Sequence, residues 1–291
     1  MAAGSRERAV AQSSGVRILT SADLTTVVQL MLTNPVENAF VASRIRQGGL
    51  DQFTLGCPVW GFENDGRLVS VCHAGANLVP VNANSAEIVE AYAEFAGPRR
   101  ISSSLFGPAT ATLGLWHSLR SRWGDAWASP REVREHQPLM AISTEPSVPA
   151  NPQVQRVTLD HWDSYFDAAV RMYTEEVGVS PLKDGEAGYR FYVRQLIVSG
   201  RAFALVQDGR VTFKADLGSV AGDVSQVQGV WLDPTMRGQS LAPACMAAVV
   251  RQAREITRTV SLYVNDFNAP ALATYRRVGF RPVGEFATVL F

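Results

Sequence analysis

Two Asp-Gly dipeptides constrain this chain most. Asp65-Gly66 lies between apolar runs at residues 58–63 and 67–74, and Asp208-Gly209 between runs at 202–206 and 211–217. Asp-Gly between apolar runs is a strong hairpin signal, because the turn needs positive φ. Each hairpin follows the same series of signals. In the first half, residues 16–19 read as a strand and 21–32 as a helix capped by Ser21. Asn34-Pro35 stops that helix. A second helix is expected at 36–47, ended by Gly48-Gly49. In the second half, 155–158 read as a strand, 159–176 as a helix and 188–198 as another. The two halves share this order with little residue identity, which points to a tandem duplication of one fold. The period exceeds a hundred residues and excludes a solenoid.

Further elements complete both halves. The first is expected to hold strands at 77–81, 100–106 and 132–143, with helices at 86–97 and 109–122. The second holds strands at 225–232, 260–264 and 285–291, with helices at 243–256 and 269–278.

A length of 291 residues suits two medium domains. Residues 144–152, TEPSVPANP, carry three prolines and little that could pack, so a linker is placed at 146–153. The division is then a disordered leader at 1–15, an N-terminal domain at 16–145 and a C-terminal domain at 154–291. Lys plus Arg equals Asp plus Glu at 27 each, so no net field draws the chain to nucleic acid or an anionic membrane. Lysine occurs only at Lys183 and Lys214. Cys57, Cys72 and Cys245 are far apart and lack metal-ligand spacing, and read as buried thiols of a reducing compartment. No segment reaches the roughly 18 apolar residues of a membrane span. The expectation is a soluble, cytoplasmic protein without a membrane or nucleic-acid partner. Composition leaves the oligomeric state open.

Two segments carry chemistry. In GVWLDPTMRGQSLAP, residues 229–243, an apolar strand ends at Leu232, Asp233-Pro234 turns the chain, and a loop runs straight into a long helix. That geometry offers free backbone N–H groups and a positive dipole end, the natural seat of a diphosphate. Pro243 suits the first helical turn, where its missing N–H costs nothing. In SLYVNDFNAPALATYRRVGF, residues 261–280, Asn268 can cap a helix that carries Tyr275 and ends at Gly279-Phe280. Either segment alone reads as an ordinary strand-to-helix corner.

Together, in this order, they resemble the two cofactor motifs of the GNAT acetyltransferase superfamily. The first motif, Arg/Gln-x-x-Gly-x-Gly/Ala, corresponds to Arg237-Gly238-Gln239-Ser240-Leu241-Ala242, with Ser240 in place of the usual Gly. The second corresponds to Asn268, Tyr275, Gly279 and Phe280. The resemblance implies an α/β (α+β) protein of two GNAT-like domains, each a mixed, mostly antiparallel central sheet flanked by helices. The N-terminal copy lacks both motifs and reads as degenerate. Gly107-Pro108-Ala109-Thr110 occupies the place of its diphosphate loop. Tandem GNAT proteins with one working and one silent copy, of actinobacterial type, look similar.

The resemblance also implies site roles and acetyl-CoA as cosubstrate, without a metal. Backbone groups of Val230 and Leu232, flanking Trp231, would pair with the pantetheine arm. N–H groups from Arg237 to Ala242 would hold the diphosphate. Asn265 and Asn268 would contact pantetheine or the thioester region, and Tyr275 would protonate the leaving thiolate. Such chemistry needs a donor to the oxyanion, which the Val230 region can supply, and a base for the amine. Glu175 and Glu176 are the candidates for that base. Ser240 is compatible with the loop at no cost if its φ is helical, which is the expectation. The acceptor would be a primary amine on a small molecule or peptide. Two other readings stay open: a catalytically weak acyl-CoA-binding module, and a transferase for a longer acyl or aminoacyl donor.

Overall fold

A computed structural model describes residues 14–183 and 185–291. Most of the expected leader and Asp184 lie outside them. In chain order the first half runs β1 (Gly15–Ile18), α1 (Leu24–Met31), α2 (Ala39–Gly48), α3 (Gln52–Leu55), β2 (Val59–Asn64), β3 (Arg67–Ala74), β4 (Asn77–Val81), α4 (Ala86–Ala96), β5 (Ser104–Pro108), α5 (Ala109–Trp123), α6 (Asp125–Ala128) and β6 (Glu132–Ile142). The second runs β7 (Val154–Arg156), α7 (Trp162–Val177), α8 (Ala187–Val198), β8 (Ala202–Gln207), β9 (Arg210–Ala221), β10 (Val224–Leu232), α9 (Leu241–Arg254), β11 (Thr259–Tyr263), α10 (Ala269–Val278) and β12 (Arg281–Leu290).

Both Asp-Gly turns form as read. Asp65 and Gly66 have φ of 50° and 69°, and Asp208 and Gly209 have 50° and 74°. The first helix differs in its start. Thr20, not Ser21, is the cap: its N–H donates to Asp23 Oδ2 at 2.8 Å, and residues Ser21–Asp23 form a 3₁₀ turn ahead of α1. The strand expected from residue 100 begins only at Ser104. The chain before it is held by local bonds, Arg100 Nη1 to Ser102 O at 2.7 Å and Ser102 Oγ to Gly75 O at 2.7 Å.

The chain divides into two compact units. One contains the chain up to Thr33, with Gly48–Glu135 and Ala287–Phe291; the other contains Asn34–Gln47 and His136–Phe286. In the first, β1 to β4 pair antiparallel in sequence order and β5 joins β4 in parallel. In the second, β7 to β10 likewise pair antiparallel in order, and β11 joins β10 in parallel. All the strands belong to one 12-stranded sheet; within each unit its pairing is mixed and mostly antiparallel, and the parallel pair falls at the same step of each series.

The units do not follow a linear cut at 146–153. Strand β6 pairs antiparallel with β11, from Leu139–Tyr263 to Ile142–Val260, and so joins the strands of the second unit. Helix α2 also packs in the second unit, where Ser43 Oγ accepts from Val220 N at 3.2 Å. The last residues of β12 serve the first unit, in which Phe291 N donates to Ser103 O at 3.0 Å. The proline-rich stretch is no free tether either. Ser147 N donates to Val278 O at 2.8 Å and Asn151 N to Ala244 O at 2.9 Å, while Val148 and Ala150 pack on the second unit's core.

Side-chain alternation along β9 builds two cores in the second unit. Phe213, Ala215 and Leu217 face a cluster with Met246, Val250, Tyr275 and Phe280. The other face carries Tyr165, Phe166, Val193, Ile197 and Trp231. The first unit has its own core around Trp60, Tyr92, Leu115, Trp127 and Val289. All three cysteines are buried and unbridged. Among the described residues no helix is long and apolar enough to cross a membrane.

Candidate active site

The site grows out of strand β10. Its parallel pairing with β11 covers only Val224–Thr259, Ser225–Val260 and Gln226–Ser261. Beyond Gln226 the two strands are no longer paired, so the β11-facing edge of β10 is left open to Leu232. On the other side, β10 keeps its ladder with β9 but bulges. Gln228 pairs with Asp216 and Trp231 with Lys214, so Gly229 and Val230 together stand opposite Ala215. The bulge needs a residue with positive φ and no side chain. Gly229 has φ of 57°, and a Cβ on it would come within 2.9 Å of Met172 Cε and 3.1 Å of both Asp216 Oδ2 and Lys214 Nζ.

From Leu232 the chain turns through Asp233, whose carboxylate accepts from Thr235 N at 2.9 Å and Thr235 Oγ1 at 2.6 Å. These bonds hold the Asp233 carboxyl below its ordinary range. Arg237 folds back: its Nε donates to Leu232 O at 3.0 Å and its Nη2 to Glu175 Oε2 at 2.6 Å. One lone pair of the Leu232 carbonyl expected to face pantetheine is thus already used. Gly238 has φ of 78°. Gln239 is tied to Thr235 O at 3.1 Å.

Ser240 departs from expectation. It is left-handed, with φ of 55° and ψ of 23°, and its side chain makes no cap bond to α9. The loop does not run smoothly into helical geometry here, because Gly238 and Ser240 both take left-handed backbone angles. A non-Gly residue in that conformation costs about 1 kcal/mol. The outcome is that the 14-residue helix α9 begins without a side-chain cap. Its first N–H groups and its dipole are left for an anion.

The two glutamates at the end of α7 are used differently. Glu175 is held on both oxygens, by Trp231 Nε1 at 3.0 Å and by Arg237. It joins α7, the end of β10 and the loop, and it is not placed as an uncommitted base. Glu176 is exposed and lies close enough to Tyr275 to act on its ionisation. Tyr275 is 7% exposed, with its ring edge-on to Phe280 at 5.8 Å. Burial, then the Glu176 charge, pushes its phenol well above the usual range, so it stays protonated.

Asn268 caps α10, its Oδ1 accepting from Ala271 N at 3.2 Å. Asn265 Oδ1 accepts from Gln137 Nε2 at 2.7 Å, which ties the end of β11 to β6. Capping and cross-strand bonding are thus the visible roles of the two asparagines. Lys214, Asp216 and Tyr165 lie beneath the bulge that Gly229 makes possible, and no motif in the sequence marks them. One signal was available: Lys214 is one of only two lysines and sits in an apolar run.

The first unit handles the same position differently. The step after its fourth strand, β4, is Asn82–Ser85, and Ser85 Oγ caps α4 by accepting from Ile88 N at 3.3 Å. Gly107-Pro108 instead closes β5 directly onto α5. It therefore corresponds to the second motif and not to the diphosphate loop. The short connection and the occupied cap leave α4 without an anion seat.

The open β10 edge thus leads to an uncapped helix N-terminus, and the buried phenol of Tyr275 belongs to the same core cluster as α9. Residues 162–280 match the acetyltransferase (GNAT) family model. Residues 57–165 match a domain of unknown function, DUF4081. The chain is similar to Acetyltransferase Atu2258 of Agrobacterium fabrum, with 31% identity over 87 residues, 27% of this chain and 63% of that protein. It thus spans under two thirds of the curated relative's length. The fold is similar to that of an acetyltransferase from the GNAT family of Colwellia psychrerythraea, with a TM-score of 0.57 at 13% identity over 95% of this chain and 99% of that one. A tandem GNAT protein of the clavulanic acid biosynthesis pathway is also similar, with a TM-score of 0.50 at 14% identity over 95% and 98%.

Proposed function

We propose that the second unit transfers the acetyl group of acetyl-CoA to a primary amine. The observation that carries this reading is the end of β10–β11 pairing at Gln226, since it leaves a strand edge pointing at the bare N-terminus of α9. Val230, Trp231 and Leu232 then pair with the amides of the pantetheine arm as an added strand would. The N–H groups from Arg237 to Ala242, helped by the α9 dipole, hold the diphosphate. Asn265 and Asn268 flank the arm.

The amine nitrogen bonds to the acyl carbon while the carbon–sulfur bond breaks. The Val230 N–H meets the oxyanion. Glu176 receives the proton of the amine, directly or through water, and Tyr275 supplies one to the thiolate. The net result is an amide and a free CoA thiol. A phenol kept protonated by its surroundings suits the donor's role, and Glu176 beside it suits the acceptor's. Glu175 holds Arg237 and the Trp231 indole in place. The acceptor is an amine on a small molecule or peptide, and the working compartment is the cytoplasm.

The test is thiol release from acetyl-CoA with a panel of spermidine, tyramine and a lysine-containing peptide, beside calorimetric CoA binding. Amine-dependent release is expected. Tight binding with release at background for every amine would assign the domain to acyl-CoA sensing.

A further inference from the structure

Lys214 is fully buried, and its ammonium donates to Asp216 Oδ2 at 2.6 Å and to Gly229 O at 3.0 Å. It lies 5.3 Å from the centre of the Tyr165 ring. The Tyr165 hydroxyl donates to the other Asp216 oxygen. Burial, then the Asp216 charge, keeps that phenol protonated. Both members of the pair are hydrogen-bonded, yet it is an odd stabilising device. Lys214 and Asp216 are two residues apart on one strand, so their ion pair joins β9 to itself and links no two elements. Apolar residues of the same volume would serve stability as well or better.

What the ammonium does reach across to is β10. Gln228 and Trp231 take the ladder positions opposite Asp216 and Lys214, and the bulge of Gly229 and Val230 arches over the charge. The Gly229 carbonyl and the Val230 N–H belong to one planar peptide group. A cation on the carbonyl oxygen draws density from the nitrogen and strengthens the N–H as a donor, as in any polarised hydrogen-bond chain. It also stops the bulge from rotating.

We infer that Lys214 is a positioning residue of the transfer reaction, which fixes and polarises the Gly229–Val230 peptide whose N–H meets the acyl oxygen. Asp216, held by Tyr165, keeps the ammonium in place. The inference rests on the acetyl-transfer reading above and adds to it the origin of the donor's strength.

The test uses the full chain and [1-¹³C]acetyl-CoA, comparing wild type with Lys214→Met/Asp216→Asn, which removes both charges together and so buries no unpaired one. Difference infrared reads the bound thioester carbonyl. In wild type its band should lie below the solution value, and in the double variant it should move back toward it, with CoA affinity by calorimetry within about threefold. With an amine that wild type accepts, kcat should fall about 10- to 100-fold at unchanged KM, less than the 10²–10³ of losing such a donor outright. Lys214→Leu/Asp216→Asn, which also leaves no unpaired buried charge, carries the same measurement should the first double variant not fold. A band and kcat unchanged in the variant would overturn the role of Lys214 and leave acetyl transfer standing. Failure of wild type to bind acetyl-CoA would overturn both.

Discussion

Single side chains decide the chemistry here, and two of them make separable predictions. Tyr275 is a buried phenol held protonated, and a CoA thiol of ordinary pKa, about 8.5, is already a fair leaving group. Tyr275→Phe should therefore lower kcat by about 10²–10⁴ with donor binding intact, read by steady-state kinetics beside calorimetry; an unchanged kcat would remove Tyr275 from the reaction. Ser240 makes a stability prediction, because it sits at φ of 55°. Ser240→Val places a β-branched residue in the left-handed region and should destabilise the second unit by more than about 1 kcal/mol. Ser240→Gly should be neutral or stabilising by up to that amount, since relief of strain offsets the extra freedom of Gly in the unfolded chain. Urea midpoints check both. The motif sequence shows Ser240 in place of Gly, but it does not show the φ, because loop conformation is set by what the loop must enclose.

At the scale of elements, strands and helices are joined by charge as well as by core. Arg17 on β1 bonds Asp23 ahead of α1 at 2.7 Å and Glu63 on β2 at 2.7 Å. The Arg17 hydrogen bond lowers the Asp23 carboxyl from 3.8 to about 2. A depressed folded pKa means that this stabilisation is complete above the unfolded value and is lost as pH falls through the folded one. The first unit should therefore lose stability between about pH 4 and pH 2. Asp23→Asn should flatten that part of the urea midpoint against pH; an identical acid limb in the variant would assign it elsewhere. The uncapped start of α9 is a second element-scale property. It was readable as a strand–loop–helix corner, whereas the bulge beneath it was not, because register between β9 and β10 is a tertiary quantity. A run such as VSQVQGVWL does not announce which residue is extra.

The whole molecule departs most from a linear reading. Repetition of element order is legible from the hairpin glycines and helix stops, and the two units repeat it strand for strand. The compact units, however, are not continuous in sequence: β6 from His136 onward and residues 34–47 belong to the second, and Ala287–Phe291 to the first. A fragment of residues 154–291 would lack the β6 partner of β11 and the α2 contact at Val220. It should fail to give a cooperative unfolding transition, while the full chain gives one for the second unit. A stable, CoA-binding 154–291 fragment would show that these borrowed segments are dispensable. The same discontinuity explains why residues 144–152, read as a tether from their prolines, pack as a strap. Proline content reports what a segment cannot do in a ladder, not whether a core lies under it.

The sequence by itself determined the local geometry: both Asp-Gly turns, the strand–loop–helix corner at Arg237–Ala242, and the helix that Asn268 caps and Gly279 ends. Those signals are local because they depend on φ preferences and on groups a few residues apart. Only the tertiary structure decided that Glu175, and not Glu176, is tied to Arg237. It also decided that Ser240 is left-handed, that β6 joins the strands of the second unit, and that a buried lysine sits under the Gly229 bulge. Each depends on partners tens of residues away, and no local preference of the chain encodes them.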